Sequence, residues 1–190
     1  MVSGLPPEPD FDAIEAAAPE SAGRRNLILT MIGNLVFSWS NNESLFIYIL
    51  MLLLNTDQAS AAVVFATLNT TRARLDLIQR LARIHVADRP IEKELTKLIE
   101  RFNACTRVRN EFNHCMYTVD AHGAITHTHV LRIVEKGGGL SFGEVRPMDQ
   151  VREKEMVKTI NDLRRLNRDI WAFMPRLQTH LQARQKSKNL

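Results

Sequence analysis

Residues 88–116 read DRPIEKELTKLIERFNACTRVRNEFNHCM, and this stretch decides the fold class. Asp88 followed by Pro90 is the order of cap and early proline that opens a helix. Counted at about 100° per residue from Leu95, the apolar residues Ile91, Leu98, Phe102, Cys105, Phe112 and Met116 gather between about 260° and about 340°. A stripe of that width is the core-facing side of a helix in a bundle, here predicted to run as far as Met116. One charged residue interrupts it. Arg109 falls at about 320°, inside the apolar stripe, whereas Asn110 and His114 fall at about 60° and about 100°, i and i+4 neighbours on another side.

Working outward, Leu27, Met31, Leu35 and Trp39 recur every four residues, followed by Leu45, Ile49 and Leu52. The pattern admits one helix over 24–54 or two broken near Asn41 and Asn42, and the continuous period favours one. Asp57 opens a short helix over about 58–68. Thr70 or Thr71 caps the next, whose apolar face is Leu75, Ile78, Leu81 and Ala82. After Tyr117 the period changes. Residues 124–134 are β-branched and alternate, and Gly137–Gly139 turns the chain into 140–145, which predicts a hairpin over about 124–146. Pro147 and Asp149 precede a last helix with Val157, Ile160, Leu163, Leu166, Ile170, Phe173, Leu177 and Leu181 facing inward, kinked at Pro175. The predicted fold is all-α: a four- to five-helix bundle over 24–182, with one β-hairpin inserted before the C-terminal helix. Residues 1–23, with four prolines and five acids, read as an acidic flexible arm. Residues 183–190 read as a basic, frayed tail.

Composition narrows the function classes. The 190 residues are 45% hydrophobic and 24% charged, which excludes wholesale disorder and fibrous repeats. A folded chain of this size buries roughly 70% of its unfolded surface and needs no metal or disulfide to hold it together. Two cysteines without a Cys-x-x-Cys pair exclude a disulfide scaffold and a zinc-ribbon cage. The ten-residue apolar run 45–54 is half of what a membrane span needs, and the N-terminus lacks the basic-then-apolar order of a signal peptide, so the expectation is a cytoplasmic protein. His127 and His129 share a strand face, but no third ligand follows at a metal-site spacing. They read as polar residues of an exposed strand, and no metal or cofactor is expected.

The net charge of +4 conceals a division. Residues 1–23 carry −5, while 72–109 and 151–190 carry +5 and +6. Arginine outnumbers lysine 18 to 7, which suits bidentate phosphate contacts. Arg72, Arg74, Arg80, Arg101 and Arg107 are accordingly candidate RNA contacts, against the plainer reading of a solvated helix face. A buried Arg109 requires acceptors, because an uncompensated buried charge costs on the order of several kcal/mol. Glu43, within the first helix, and Asp76, read as lying inside the apolar face of the third, are its candidate ion-pair partners. That constellation is either a functional site or an ion pair that keeps the bundle in register.

Arg109-Asn110, with His114 five residues after the arginine, resembles the Arg-x(4–6)-His signature of the HEPN superfamily, small all-α bundles that include prokaryotic toxins and CRISPR and RNA-processing nucleases. Arg80 and His85 form a second instance of the bare spacing, but without the asparagine. Trp39-x-x-x-Glu43 and Arg72-x-Arg-Leu-Asp-Leu-Ile78 also resemble the first and third helices of bacterial HEPN-like proteins of unknown role. The resemblance covers about 24–182, with the hairpin as an insertion. It implies metal-independent RNA cleavage by a homodimer, in a toxin or phage-defence setting, with an antitoxin or regulatory protein as a further partner. His114 would act as general acid or base on the ribose 2′-OH, Arg109 would stabilise the phosphoryl charge, and Asn110 would orient the histidine or bind phosphate. Asn113 departs from the small residue that many active members carry before the histidine. Because several relatives have lost catalysis, the resemblance equally implies a non-catalytic protein- or RNA-binding module.

Overall fold

The computed structural model describes residues 11–136 and 139–188. Helices dominate: α1 (Phe11–Leu54), α2 (Gln58–Thr67), α3 (Thr71–His85), α4 (Arg89–Asn113) and α5 (Gln150–Lys188). Strands β1 (Cys115–Val119), β2 (Ile125–Lys136) and β3 (Gly139–Pro147) form an antiparallel sheet of order β1-β2-β3 between α4 and α5. The chain divides into two units. A mixed unit comprises residues 1–34 and 110–157, and a helical unit comprises 35–109 and 158–190.

The helix boundaries follow from capping chemistry. α1 stops where Asn55 takes a left-handed conformation (φ 50°), and the Thr56 amide bonds back to the Met51 carbonyl. Asp57 then caps α2 by accepting from the Ser60 amide at 2.9 Å, and the Ser60 hydroxyl at 2.7 Å, together with that amide, holds its carboxyl below the usual range. Thr70 caps α3 through the Ala73 amide, and Asp88 caps α4 through the Ile91 amide. Asp149 caps α5, accepting from the amides of Val151 and Arg152, both at 3.0 Å.

In the helical unit the core is built from Leu35, Trp39, Phe46, Ile49 and Leu50 of α1, Leu75 and Ile78 of α3, Leu95, Ile99 and Phe102 of α4, and Leu163, Leu166, Ile170, Phe173 and Leu177 of α5, all 4% exposed or less. Asn42 is buried among them and does not break α1. Its amide nitrogen donates to the Ser38 carbonyl at 2.8 Å and the Leu163 carbonyl at 3.0 Å, so the polar group is supplied with acceptors in place.

Several expectations are corrected. α1 is one helix, as the continuous period favours, but it begins at Phe11, inside the segment read as a flexible arm; residues 1–10 of that arm lie outside the described residues. Leu27 is 51% exposed, and the neighbouring Ile28 is the buried residue. α5 is helical through Lys188 where a frayed tail was expected, and it contains Pro175. At its start Met156 is buried and Val157 is 46% exposed, one position off the expected phase. The Gly137–Gly139 turn falls partly outside the described residues.

The hairpin is present as β2 and β3, but a third strand precedes it, because α4 ends three residues short of Met116. The Phe112 carbonyl accepts from the Tyr117 hydroxyl at 2.5 Å and from the Cys115 thiol, so the last turn is tied to the strand that follows. Asp120 then turns β1 into β2 by accepting from the His122 and Ala124 amides, with Gly123 at φ 74°. On β3, Gly143 adopts φ 77°, and a side-chain carbon there would sit 2.2 Å from Nε2 of His129. The imidazole of β2 thus lies over a residue that has to be glycine.

Candidate functional site

Arg109 belongs to the helical unit, at the point where α4 faces Trp39 of α1. Trp39 is 4% exposed and fixed from two directions. Its indole nitrogen donates to Thr106 Oγ1 at 2.8 Å, and its ring stacks on Phe102 with centroids 5.5 Å apart and planes 19° apart. The Arg109 guanidinium carbon lies 3.4 Å from the Trp39 ring centroid. A cation over an indole gains on the order of 0.5–2 kcal/mol, most where water is partly excluded. Burial pushes the Arg109 pKa down, and the negative charge of Glu43 pushes the other way. The guanidinium stays charged, because no ordinary desolvation brings arginine to neutrality at pH 7.

Glu43 accepts from Thr71 Oγ1 at 2.7 Å and from Arg74 Nη1 at 3.0 Å. Arg74 also donates through Nε to the carbonyls of Phe65 and Leu68 and lies 4.8 Å above the Phe65 ring. It is therefore corrected from a candidate RNA contact to a side chain that joins α1, α2 and α3 internally. Asp76 is corrected too. It sits on an outer side of α3, half exposed and 3.9 Å from Arg72, away from the buried Leu75, Ile78 and Ala82. Arg101 is exposed and pairs with Asp169 at 2.7 Å. Arg72, Arg80 and Arg107 are exposed. The helical unit contains 18 basic and 9 acidic residues, a net +9, whereas the mixed unit contains 7 and 12, a net −5. The charge imbalance between segments of the sequence is thus an imbalance between units.

Asn110 and His114 belong to the mixed unit. Both are exposed, and the His114 amide donates to the Asn110 carbonyl at 3.0 Å, so the backbone keeps its helical pairing one residue past α4. Between them lies a residue that the sequence reading passed over. Glu111 Oε1 accepts from Arg146 Nη1 of β3 at 2.9 Å and from Arg152 Nη2 of α5 at 2.6 Å. Arg146 also bonds Glu144 at 2.8 Å, and Arg152 bonds Glu155 at 2.6 Å while lying 4.5 Å above the Phe112 ring. The Arg152 side chain is only 9% exposed. An acid two positions after Arg109 was the available signal, although its phase of about 160° lies well outside the apolar stripe. Its partners lie 35 and 41 residues further on, where spacing arguments carry no information.

His127 is exposed, and His129 is half-buried over Gly143. Among the described residues no group of three or more His, Cys, Asp or Glu side chains converges as metal ligands would. Burial pushes the Cys105 thiol up to about 11 and also raises Cys115, so neither is an activated nucleophile. A cavity of about 130 Å³ in the helical unit is lined by Leu52, Leu53, His85, Leu181 and Arg184, smaller than the pockets that enclose a nucleotide-sized ligand. Arg184 there donates to the carbonyls of Ile84 and His85 and so caps the end of α3. Among the described residues no single helix is long and apolar enough to cross a membrane.

No protein-family model, curated protein or solved structure matches the chain.

Proposed function

We propose that this chain is a HEPN-like, metal-independent endoribonuclease that acts as a homodimer, in a toxin or phage-defence role restrained by an antitoxin or regulatory partner. The reading rests on the Arg109-Asn110-x-x-x-His114 resemblance. The observation that supports it most is the stacking of Arg109 on Trp39 at 3.4 Å. A guanidinium ordered before substrate arrives stabilises charge developing on a phosphoryl group without having to reorganise. His114 and Asn110 are exposed, as groups that meet RNA must be. In this reading His114 exchanges the proton of the 2′-OH, and the arginine meets the phosphoryl oxygens.

A second reading, a non-catalytic RNA- or protein-binding module, is favoured by the other half of the motif. Glu111 and Phe112 hold Arg146, Arg152 and Tyr117, so this end of α4 has a structural use of its own. RNA cleavage in EDTA by wild type, Arg109→Ala and His114→Ala separates the two. The nuclease reading expects cleavage by wild type and its loss in both variants. Wild type inert on several RNAs at high concentration, or His114→Ala fully active, ends that reading.

A further inference from the structure

Trp171 of α5 is 55% exposed, although a large aromatic side chain ordinarily buries most of its surface. At about 100° per residue, Arg164, Arg168, Pro175, Gln178 and Gln182 lie within about 60° of it around the helix. The acids of this part of α5, Asp162 and Asp169, fall at about 180° and about 160°. Both are engaged there, Asp162 by Arg165 at 3.6 Å and Asp169 by Arg101 at 2.7 Å. Arg164 and Arg168 are exposed, about two turns and one turn before the indole. From residue 158 onward, no carboxylate among the described residues of α5 shares this face, and the unit that carries it is the one with net charge +9.

We propose that this face of α5 is a contact surface for single-stranded RNA, with Trp171 stacking on an unpaired base and Arg164 and Arg168 holding the adjoining phosphates. The combination is what such binding needs. Every base offers a π-face to an exposed indole, and guanidinium groups supply the sequence-independent attraction to the backbone. A protein partner anchored by the same tryptophan would be expected to find mostly apolar neighbours around it, whereas the exposed residues flanking this ring are arginine and glutamine beside Pro175. The proposal rests on the reading that RNA is the partner, and it adds the place where the strand is held and its single-stranded character.

The test uses the full chain and a fluorescein-labelled 2′-O-methyl oligouridylate of about twelve nucleotides, followed by anisotropy over a range of salt. The blocked 2′-OH prevents cleavage, so the result does not depend on whether the Arg109–His114 motif cuts RNA. Trp171→Ala is expected to weaken binding about tenfold or more, and Trp171→Phe to retain most of the affinity. The double change Arg164→Ala/Arg168→Ala is expected to reduce the slope of log K against log salt by about 1.4. Binding that is the same in all these variants as in wild type overturns the proposal, as does wild type that fails to bind at low salt. An unchanged RNA affinity with altered sedimentation of Trp171→Ala assigns the face to a protein contact and equally overturns it. In each case the cleavage assay in EDTA judges the nuclease reading separately.

Discussion

Replacing Glu111 by glutamine removes the negative charge shared by two arginines while keeping the side chain's shape. The two interactions differ in weight. Arg146 is 39% exposed and holds Glu144 as a second carboxylate, so losing Glu111 costs that arm little. Arg152 is 9% exposed, lies over Phe112, and is left with Glu155, itself 42% exposed, as its remaining charge partner. Breaking a fully buried pair costs about 3–5 kcal/mol; the retained Glu155 bond and the 19% exposure of Glu111 bring the expectation to about 2–3 kcal/mol. For a chain of this length that is a fall of about 5–10 °C in Tm. Urea unfolding of Glu111→Gln, Arg152→Met and the double variant measures it. The double variant should be less destabilised than the sum of the singles by at least about 1 kcal/mol, because methionine leaves no charge stranded on Phe112. Additivity within about 0.3 kcal/mol, or a Glu111→Gln effect below about 0.5 kcal/mol, would refute the assignment of Glu111 as the hub of this network.

Gly143→Ala should destabilise by about 2–3 kcal/mol, since the new carbon meets His129 and the backbone sits at φ 77°. Adding His129→Ala should recover part of that loss but not the backbone share, and full recovery in a thermal melt would show that φ does not matter. Glu144 ionises below its usual range because Arg146 donates to it. Its contribution is therefore present above the ordinary carboxylate pKa and is lost as pH falls through the lowered folded value. Glu144→Gln should flatten the acid limb of a Tm profile between about pH 6 and about pH 3, and an identical profile would contradict the pairing.

Helix existence was legible in this sequence wherever a period of 3.6 met a capping residue. Asp57, Thr70, Asp88 and Asp149 all stand where the chain turns into a helix. Helix ends without such a residue were not legible. α4 stops at Asn113 because of bonds from Tyr117 and Cys115 to one carbonyl, which the apolar pattern through Met116 does not register. The same holds for charges. The phase of Arg109 correctly marked it as a partly desolvated cation, but its neighbour is the aromatic face of Trp39, a contact that no complementarity of sign suggests. Arg74 and Arg72 are two residues apart and look alike in sequence, yet one is 21% exposed and the other 91%. Two positions turn a helix by about 200°, so composition cannot rank them and packing must.

The helical unit is interrupted in sequence: residues 110–157 stand between its two parts. Asn42 waits for a carbonyl 121 residues downstream, and the end of α3 is capped by a guanidinium about 100 residues further along. On a ribosome, at about 5–20 residues per second, the α1–α4 part of this unit therefore exists for seconds before α5 is made to close it. During that interval Leu163, Leu166, Ile170, Phe173 and Leu177, all buried in the folded unit, have yet to join it. Synthesis from the N-terminus thus leaves the core of this unit incomplete until its last helix emerges.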